Sequence, residues 1–257
     1  MKKIMKDYRK EYSYLIIQKI DRMDYSKLTV IIPTLNESET IGKLLSTLIK
    51  EYNGVSVIVS DDGSRDGTES IVNRFDKSGK GHVVFLDRSR KTEHGLTASV
   101  MDAVKMTTTK YAIVMDGDMQ HPPEMIERIF KELDKGSDVV VGVRTKVKNW
   151  DWYRRILSIS IIGMARFMFT IRRKRKVSDM MSGFFGIRTS LFKSLVSKKE
   201  RGFVRQGYKV LLDILRMTGN SVRITEVPYK TFQPRRAGAS KLKVKHMILI
   251  LKSLSIK

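Results

Sequence analysis

Two aspartates one residue apart stand at the centre of MDGDMQHPPE, residues 115–124. Asp116 and Asp118 could together bind one divalent cation and its phosphate ligands, because hard ions such as Mg²⁺ or Mn²⁺ prefer oxygen donors. The alternative is a polar turn with helix-capping acids; the apolar run before the pair and the PPE after it favour the ligand reading. A second acidic motif, SDDGSRDGT at 60–68, places Asp61 and Asp62 in succession. Their carboxylates could accept hydrogen bonds from a base or a ribose, with Gly63 and Gly67 permitting sharp turns. A capped turn explains Ser64, Asp66 and Thr68 well but explains two consecutive acids poorly. In IIPTLNESETI, residues 31–41, Pro33 closes an apolar run, and Asn36, Glu37 and Ser38 could cap the next helix. Glu37 is either an acid near a helix N-terminus or a ribose ligand.

These motifs need elements to hold them. From Leu28 onward, short apolar runs alternate with helical stretches. Strands are expected at 28–32, 55–60, 82–86, 111–115 and 138–143, and helices at 38–50, 68–75, 95–106 and 122–133. The last of these begins with prolines, which the first helical turn tolerates. Such alternation predicts a parallel, doubly wound α/β sheet, in which ligands bind beyond the carboxyl ends of the strands. Both acidic loops fall at such ends. After Arg144 the alternation fades into a segment rich in Arg and Lys around an apolar stretch, 144–176, followed by SGFFGI at 182–187. A helix near 208–217, a strand near 222–227 and a basic loop at 230–241 complete the pattern. Residues 1–27 read as a helical N-terminal extension, 28–239 as the main domain, and 240–257 as an amphipathic helix with Val244, Met247, Ile248, Leu251 and Leu254 on one face.

Composition bounds the partners. The 257 residues suffice for one α/β domain with a full core. The absence of Cys excludes disulfides and thiolate metal sites, and the four histidines lack zinc spacing. A formal charge of +23 favours polyanionic partners, namely nucleic acid, anionic lipid or a phosphorylated substrate; a lysine-rich solvated surface is the plainer alternative. No signal peptide is evident, and the longest apolar stretch, 156–171, carries Arg166 and is shorter than the roughly 20 residues of a membrane span. A peripheral position on a membrane is therefore expected.

The order VIIPTLNE, DDGSRDGT, HGLTASVMDAV, MDGDMQHPPE, VVGVR, SGFFGI, GYKVLLDIL and EVPYKTFQPRRAGASKL resembles the polyprenyl- and dolichyl-phosphate mannosyltransferases. These belong to the large inverting glycosyltransferase family 2. The resemblance spans about residues 28–254. It implies a glycosyltransferase A-type, Rossmann-like, mostly parallel sheet flanked by helices, with amphipathic interface helices. It also implies Mg²⁺ or Mn²⁺ held by Asp116, Asp118 and Gln120. By the same resemblance Pro33, Leu35, Glu37, Val59, Asp61, Asp62, Asp116, Gly117 and Lys209 match positions around the nucleotide-sugar. Asp118, Arg144, Ser182, Arg235 and Lys241 match positions around the diphosphate and the acceptor phosphate. Three departures stand out: Leu35 where Tyr is common, Asp213 where Glu is usual, and the strongly basic IRRKRKV at 171–177.

The chemistry implied is transfer of a sugar, mannose from GDP-mannose above all, to dolichyl or polyprenyl phosphate at the cytoplasmic face of a membrane. Charge develops on the departing nucleoside diphosphate, where a metal and cations stabilise it. The acceptor phosphate, whose second ionisation lies near ~6, attacks without a general base, giving one in-line displacement with inversion. Basic residues would meet the anionic membrane surface at about 1 kcal/mol each, and the apolar faces at 156–171 and 244–254 would enter the interface, fill the core, or dock on a membrane-anchoring subunit. The competing readings are a UDP-glucose-dependent or other family 2 enzyme, and a basic non-catalytic nucleic-acid-binding protein. The second is disfavoured by acids clustered at strand ends and by the lack of any nucleic-acid-binding signature, so no nucleic acid is expected as a partner.

Overall fold

The computed structural model describes residues 23–77, 82–145, 177–207 and 209–230. The expectations for 1–22, for the basic and apolar segment 146–176, for the loop carrying Arg235 and Lys241, and for the helix at 240–257 lie outside these residues. So does the apolar face at 156–171.

The elements run β1 (Leu28–Thr34), α1 (Ser38–Glu51), β2 (Ser56–Asp61), α2 (Thr68–Lys77), β3 (His82–Asp87), α3 (Leu96–Met106), β4 (Tyr111–Val114), α4 (Met125–Asp134), β5 (Val139–Arg144), β6 (Phe185–Arg188), α5 (Thr189–Lys198), α6 (Val210–Met217) and β7 (Ile224–Tyr229). The described strands form one seven-stranded sheet in the order β3-β2-β1-β4-β6-β5-β7. All pairs are parallel except those made by β6, which runs antiparallel to both β4 and β5. The carboxyl ends of β1, β2, β4, β5 and β7 therefore share one rim of the sheet, and the segment leading into β6 arrives at that same rim. Thr34 stands level with Asp61, and Arg144 level with Tyr229.

The strands are buried on both faces, which is why they read as continuous apolar runs. Ile31, Ile58, Val114, Val141 and Phe185 pack under α3, α5 and α6. Val30, Ile32, Val57, Ile113 and Val140 pack under α1 and α4. In α1 the buried residues Ile41, Leu44, Leu45 and Leu48 make one helical stripe; each is fully buried and contributes roughly 1.5–3 kcal/mol relative to exposure. Gly186 in β6 admits α4 closely, since a Cβ there would meet Ile129 at 2.5 Å and Leu133 at 2.8 Å.

Several boundaries differ from expectation. The helix expected from Pro122 begins at Met125. Pro122 precedes Pro123 and is thereby steered out of the helical region; the two prolines instead form a turn whose carbonyls accept from Met125 and Ile126 at 3.1 and 2.9 Å. The strand expected at 222–227 is displaced by two residues, because its register with β5 ends at Tyr229. Helix α5 was not expected, although Phe192, Leu195 and Val196 have helical spacing and are buried.

Candidate active site

The chain leaves β4 and turns sharply through Asp116, Gly117 and Asp118. Met119 holds a left-handed φ of +60°, a conformation that costs a non-glycine residue roughly 1–2 kcal/mol. Three contacts sustain the turn. The Asp118 Oδ1 accepts from the Gln120 amide at 3.0 Å. The Gly117 carbonyl accepts from Thr40 Oγ1 at 2.8 Å. The Asp116 amide donates to His121 Nδ1 at 3.0 Å. The His121 ring is stacked on Phe184, with centroids 4.9 Å apart. Two neighbouring glycines pack tightly: a Cβ on Gly183 would meet the Asp116 carboxylate at 3.1 and 3.3 Å, and one on Gly117 would meet Thr34 at 3.3 Å.

Burial pushes the Asp116 carboxyl above its ordinary range, and the positive charges of Lys209 and Arg144 pull it part of the way back. Asp118 is also raised, first by burial and then by the charge of Asp116. His121 is lowered to about 4, first by burial, with Arg144 and Lys209 adding to the effect and Asp118 opposing it. The ring is thus neutral, as its role as an acceptor from the Asp116 amide requires. The turn thus gathers two neighbouring carboxylates, each raised by burial, with Asp116 in the field of two cations. Such a pair suits a hard divalent ion. Among the described residues no group of three or more His, Cys, Asp or Glu is arranged to hold a metal. The two aspartates would accordingly need further oxygens, from Gln120 or from a bound ligand.

The second acidic motif is organised differently. Asp61 is 2% exposed. Its carboxylate accepts from Thr34 Oγ1 at 2.9 Å, from the amides of Gly63 and Ser64 at 3.0 and 2.7 Å, and from Ser64 Oγ. Asp62 accepts from the Gly95 amide at 2.7 Å, lies 3.1 Å from His94 Nδ1, and pairs with the Arg88 guanidinium. Arg88 is fully buried and also donates to Asp102 at 2.9 Å, Ser99 at 3.0 Å and the Glu93 carbonyl at 2.7 Å. The two consecutive acids thus have separate structural duties, one closing the turn and the other joining it to α3. Asn36, Glu37 and Ser38 donate their amides to Ser64, Thr68 and Asp66, which zips the β1 loop to the β2 loop. Pro33 is half-buried on this rim, Leu35 is 43% exposed beside it, and the Val59 side chain is fully enclosed in the core.

The cations near the acidic turn come from β5 and from the segment before α6, and the segment before β6 braces them. Arg144 donates through Nε to Asp179 at 3.0 Å. Lys209 donates to the Met181 carbonyl at 2.8 Å. Ser182 is buried; its hydroxyl donates to the carbonyls of Gly142 or Phe184, at 2.8 and 3.1 Å, and accepts from the Phe184 amide at 3.1 Å. It fastens the segment to β5.

The fold thus draws Asp116, Asp118, Gln120, Arg144 and Lys209 together at the carboxyl-end rim of the sheet, with Pro33, Leu35, Glu37, Asp61 and Asp62 at the adjoining strand ends. Sequence reasoning missed His121, Arg88 and Asp179. His121 was visible within MDGDMQHPPE, five residues after Asp116. Arg88 directly follows β3, where a lone arginine carries no signal of its own.

Comparison with known proteins accords with this geometry. The glycosyl transferase family 2 profile matches residues 29–196. The chain is 34% identical over 234 residues to the dolichol-phosphate mannosyltransferase of Pyrococcus furiosus, covering 89% of this chain and 62% of that protein. It thus spans less than two thirds of that relative's length. It is 32% identical over 243 residues to the dolichol-phosphate mannosyltransferase of Saccharomyces cerevisiae, covering 88% of this chain and 85% of the relative. Among solved structures, glucosyl-3-phosphoglycerate synthase from Mycobacterium tuberculosis, in complex with Mn²⁺, UDP and phosphoglyceric acid, superposes with a TM-score of 0.62 at 18% identity, covering 91% of this chain and 82% of that one. That likeness carries the A-type glycosyltransferase fold alone. A profile match running from β1 into α5, together with relatives above 30% identity, establishes that the chain belongs to glycosyl transferase family 2.

Proposed function

We propose that the protein transfers a sugar, mannose from GDP-mannose, to dolichyl or polyprenyl phosphate, with inversion, at the cytoplasmic face of a membrane. One observation carries the reading: Asp116 and Asp118 stand side by side at the end of β4, and Asp116 lies within the field of both Arg144 and Lys209. Paired acids facing paired cations suit a ligand that carries both a divalent ion and phosphates. The names of the Pyrococcus and Saccharomyces relatives supply the sugar and the lipid.

Asp116, Asp118 and Gln120 would hold Mg²⁺ or Mn²⁺, which when bound neutralises charge on the departing diphosphate. Arg144 and Lys209 add fixed positive charge where that negative charge develops, a form of stabilisation strongest in a water-poor site. Pro33, Leu35 and Glu37 border the space for the nucleoside. Asp61 and Asp62 act from beneath, by fixing the loops that form it. The acceptor phosphate, mostly dianionic above about pH 6, needs no base to attack, and His121 is unsuited to be one because its Nδ1 already accepts from the Asp116 amide. We assign Arg235 and Lys241 to the acceptor phosphate, residues 28–239 to the catalytic domain and 240–257 to an interfacial helix. The net charge of +23 supports contact with anionic lipid, and no helix among the described residues is long and apolar enough to cross a membrane.

A UDP-glucose donor is the second reading, favoured by the UDP complexes of the structural neighbours. Assaying GDP-mannose against UDP-glucose with a short polyprenyl phosphate, with and without Mn²⁺, separates the two. Mannosyl transfer that requires the metal supports the first, and glucosyl transfer alone replaces it with the second.

A further inference from the structure

Arg144 ends β5 as its one cation, and one edge of its guanidinium is engaged within the protein. There Nε donates to Asp179 Oδ2 at 3.0 Å. Asp179 is 8% exposed, and its other oxygen, Oδ1, is buried without a hydrogen-bond partner. A buried carboxylate with one charged partner among the described residues and one bare oxygen is a poor stability device. Desolvation of such a pair often outweighs its Coulomb attraction, and buried acceptors are normally satisfied. A site that tolerates such an atom often does so for function.

The segment holding Asp179 is fixed on both sides. The Ser178 hydroxyl donates to Glu226 on β7 at 2.8 Å, and the Ser178 amide donates to the same carboxylate. The Asp179 carbonyl accepts from the Ser182 amide at 3.2 Å, and Ser182 Oγ lies 2.8 Å from the Gly142 carbonyl on β5. The segment packs closely on Gly142, whose amide donates to the Phe184 carbonyl at 2.9 Å and where a Cβ would come within 3.0 Å of that carbonyl and 3.2 Å of the Tyr229 ring. Residues 178–184 therefore form a bracket bolted to two adjacent strands, with the Asp179 carboxylate projecting from it onto Arg144.

We propose that Asp179 is a positioning residue for Arg144: the bracket holds the guanidinium by Nε, so that its terminal amino groups are kept toward the Asp116 turn to meet the phosphates of donor or acceptor. This rests on the assignment of phosphates to that turn. It explains why Arg144 feels Asp116 as well as Asp179, and gives Ser178, Ser182 and Glu226 a common purpose. An arginine fixed in this way offers a planar two-pronged donor with little further loss of side-chain freedom on binding.

The test is a double-mutant cycle with Asp179→Asn and Arg144→Ala, read twice: as kcat/KM for transfer to a polyprenyl phosphate, and as the affinity for inorganic pyrophosphate with Mn²⁺, by calorimetry. Asp179→Asn alone should lower both by about 10–100-fold, the usual range for residues that orient a ligand. In the Arg144→Ala background it should lower neither further. Losses that multiply overturn the inference, as does a silent Asp179→Asn. Should Asp179→Asn fail to fold, Asp179→Glu decides: it keeps the charge but displaces the guanidinium, so undiminished pyrophosphate affinity counts against positioning. A wild type that binds pyrophosphate with non-additive losses yet transfers no sugar sinks the proposed function and leaves this inference standing. An active wild type with multiplicative losses does the reverse.

Discussion

His121 Nδ1 accepts the backbone N–H of Asp116 at 3.0 Å, while the ring lies flat on Phe184. The bond closes a six-residue turn and fixes where the Asp116 carboxylate emerges. Replacing the ring by Phe should keep the stack but strand a partly buried amide, at a cost of about 1–3 kcal/mol. Urea unfolding at pH 7 measures that loss.

The same histidine predicts a pH dependence. Its folded pKa is about 4 against an ordinary 6.5. Below pH 6.5 the unfolded chain takes up a proton there that the folded protein refuses until about pH 4. The contribution is therefore fully present above 6.5 and declines as pH falls through that window. The raised Asp116 and Asp118 titrate in the opposite sense, so the informative quantity is a difference. Unfolding midpoints of wild type and His121→Phe should converge between pH 7 and pH 4, and parallel curves would count against a buried neutral imidazole.

Asp118 bears a charge disfavoured by burial and by Asp116. Asp118→Asn removes that repulsion, so the melting temperature should rise even as transfer falls by about 100-fold or more, the scale seen when one electrostatic stabiliser is lost. Mn²⁺ with GDP should raise the melting temperature of the wild type and leave the variant unmoved. A variant that melts lower without metal would show that the acid serves the fold.

Arg88 is enclosed between Asp62 and Asp102. Arg88→Met should leave Asp62 without its guanidinium and Asp102 with only the more distant Lys105 and Arg205, each at 3.8 Å, and cost about 3–5 kcal/mol. Asp62→Asn, which keeps an acceptor for the Gly95 amide, should cost less. Equal losses in chemical denaturation would contradict a network centred on the arginine.

Gly95 has φ +138°, and a Cβ there would meet the Arg205 carbonyl and the Gln206 backbone at 2.9 Å. Those residues belong to the segment that accepts from the Thr97 and Ala98 amides, at 2.9 and 3.0 Å, and then runs on to Lys209. Gly95→Ala should push that segment away, lowering stability by roughly 1–3 kcal/mol and reducing kcat/KM through Lys209. A variant with wild-type kcat/KM would uncouple the two loops.

Much of this was legible before the fold was known. The acid pairs follow apolar runs, and apolar runs that alternate with helical stripes make a parallel sheet whose strand ends gather at one rim. That reasoning located Asp61, Asp62, Asp116 and Asp118. It did not divide their duties. Asp62 finds its partners at separations of 26 residues for Arg88 and 33 for Gly95, and no local pattern encodes such distances. Asp179 and Arg144 are 35 residues apart, and meet only because β6 turns back antiparallel between β4 and β5. The prolines after His121 pointed correctly to a helix but misplaced its start, because the first of them is constrained by the second.

The most direct test is mannosyl transfer from GDP-mannose to a short polyprenyl phosphate by wild type and Asp118→Asn, each with Mn²⁺ and with a chelator. The account predicts mannosyl phospholipid from the wild type with metal, and at least about 100-fold less from the other three combinations. Undiminished product from Asp118→Asn, or from the chelated wild type, would contradict it.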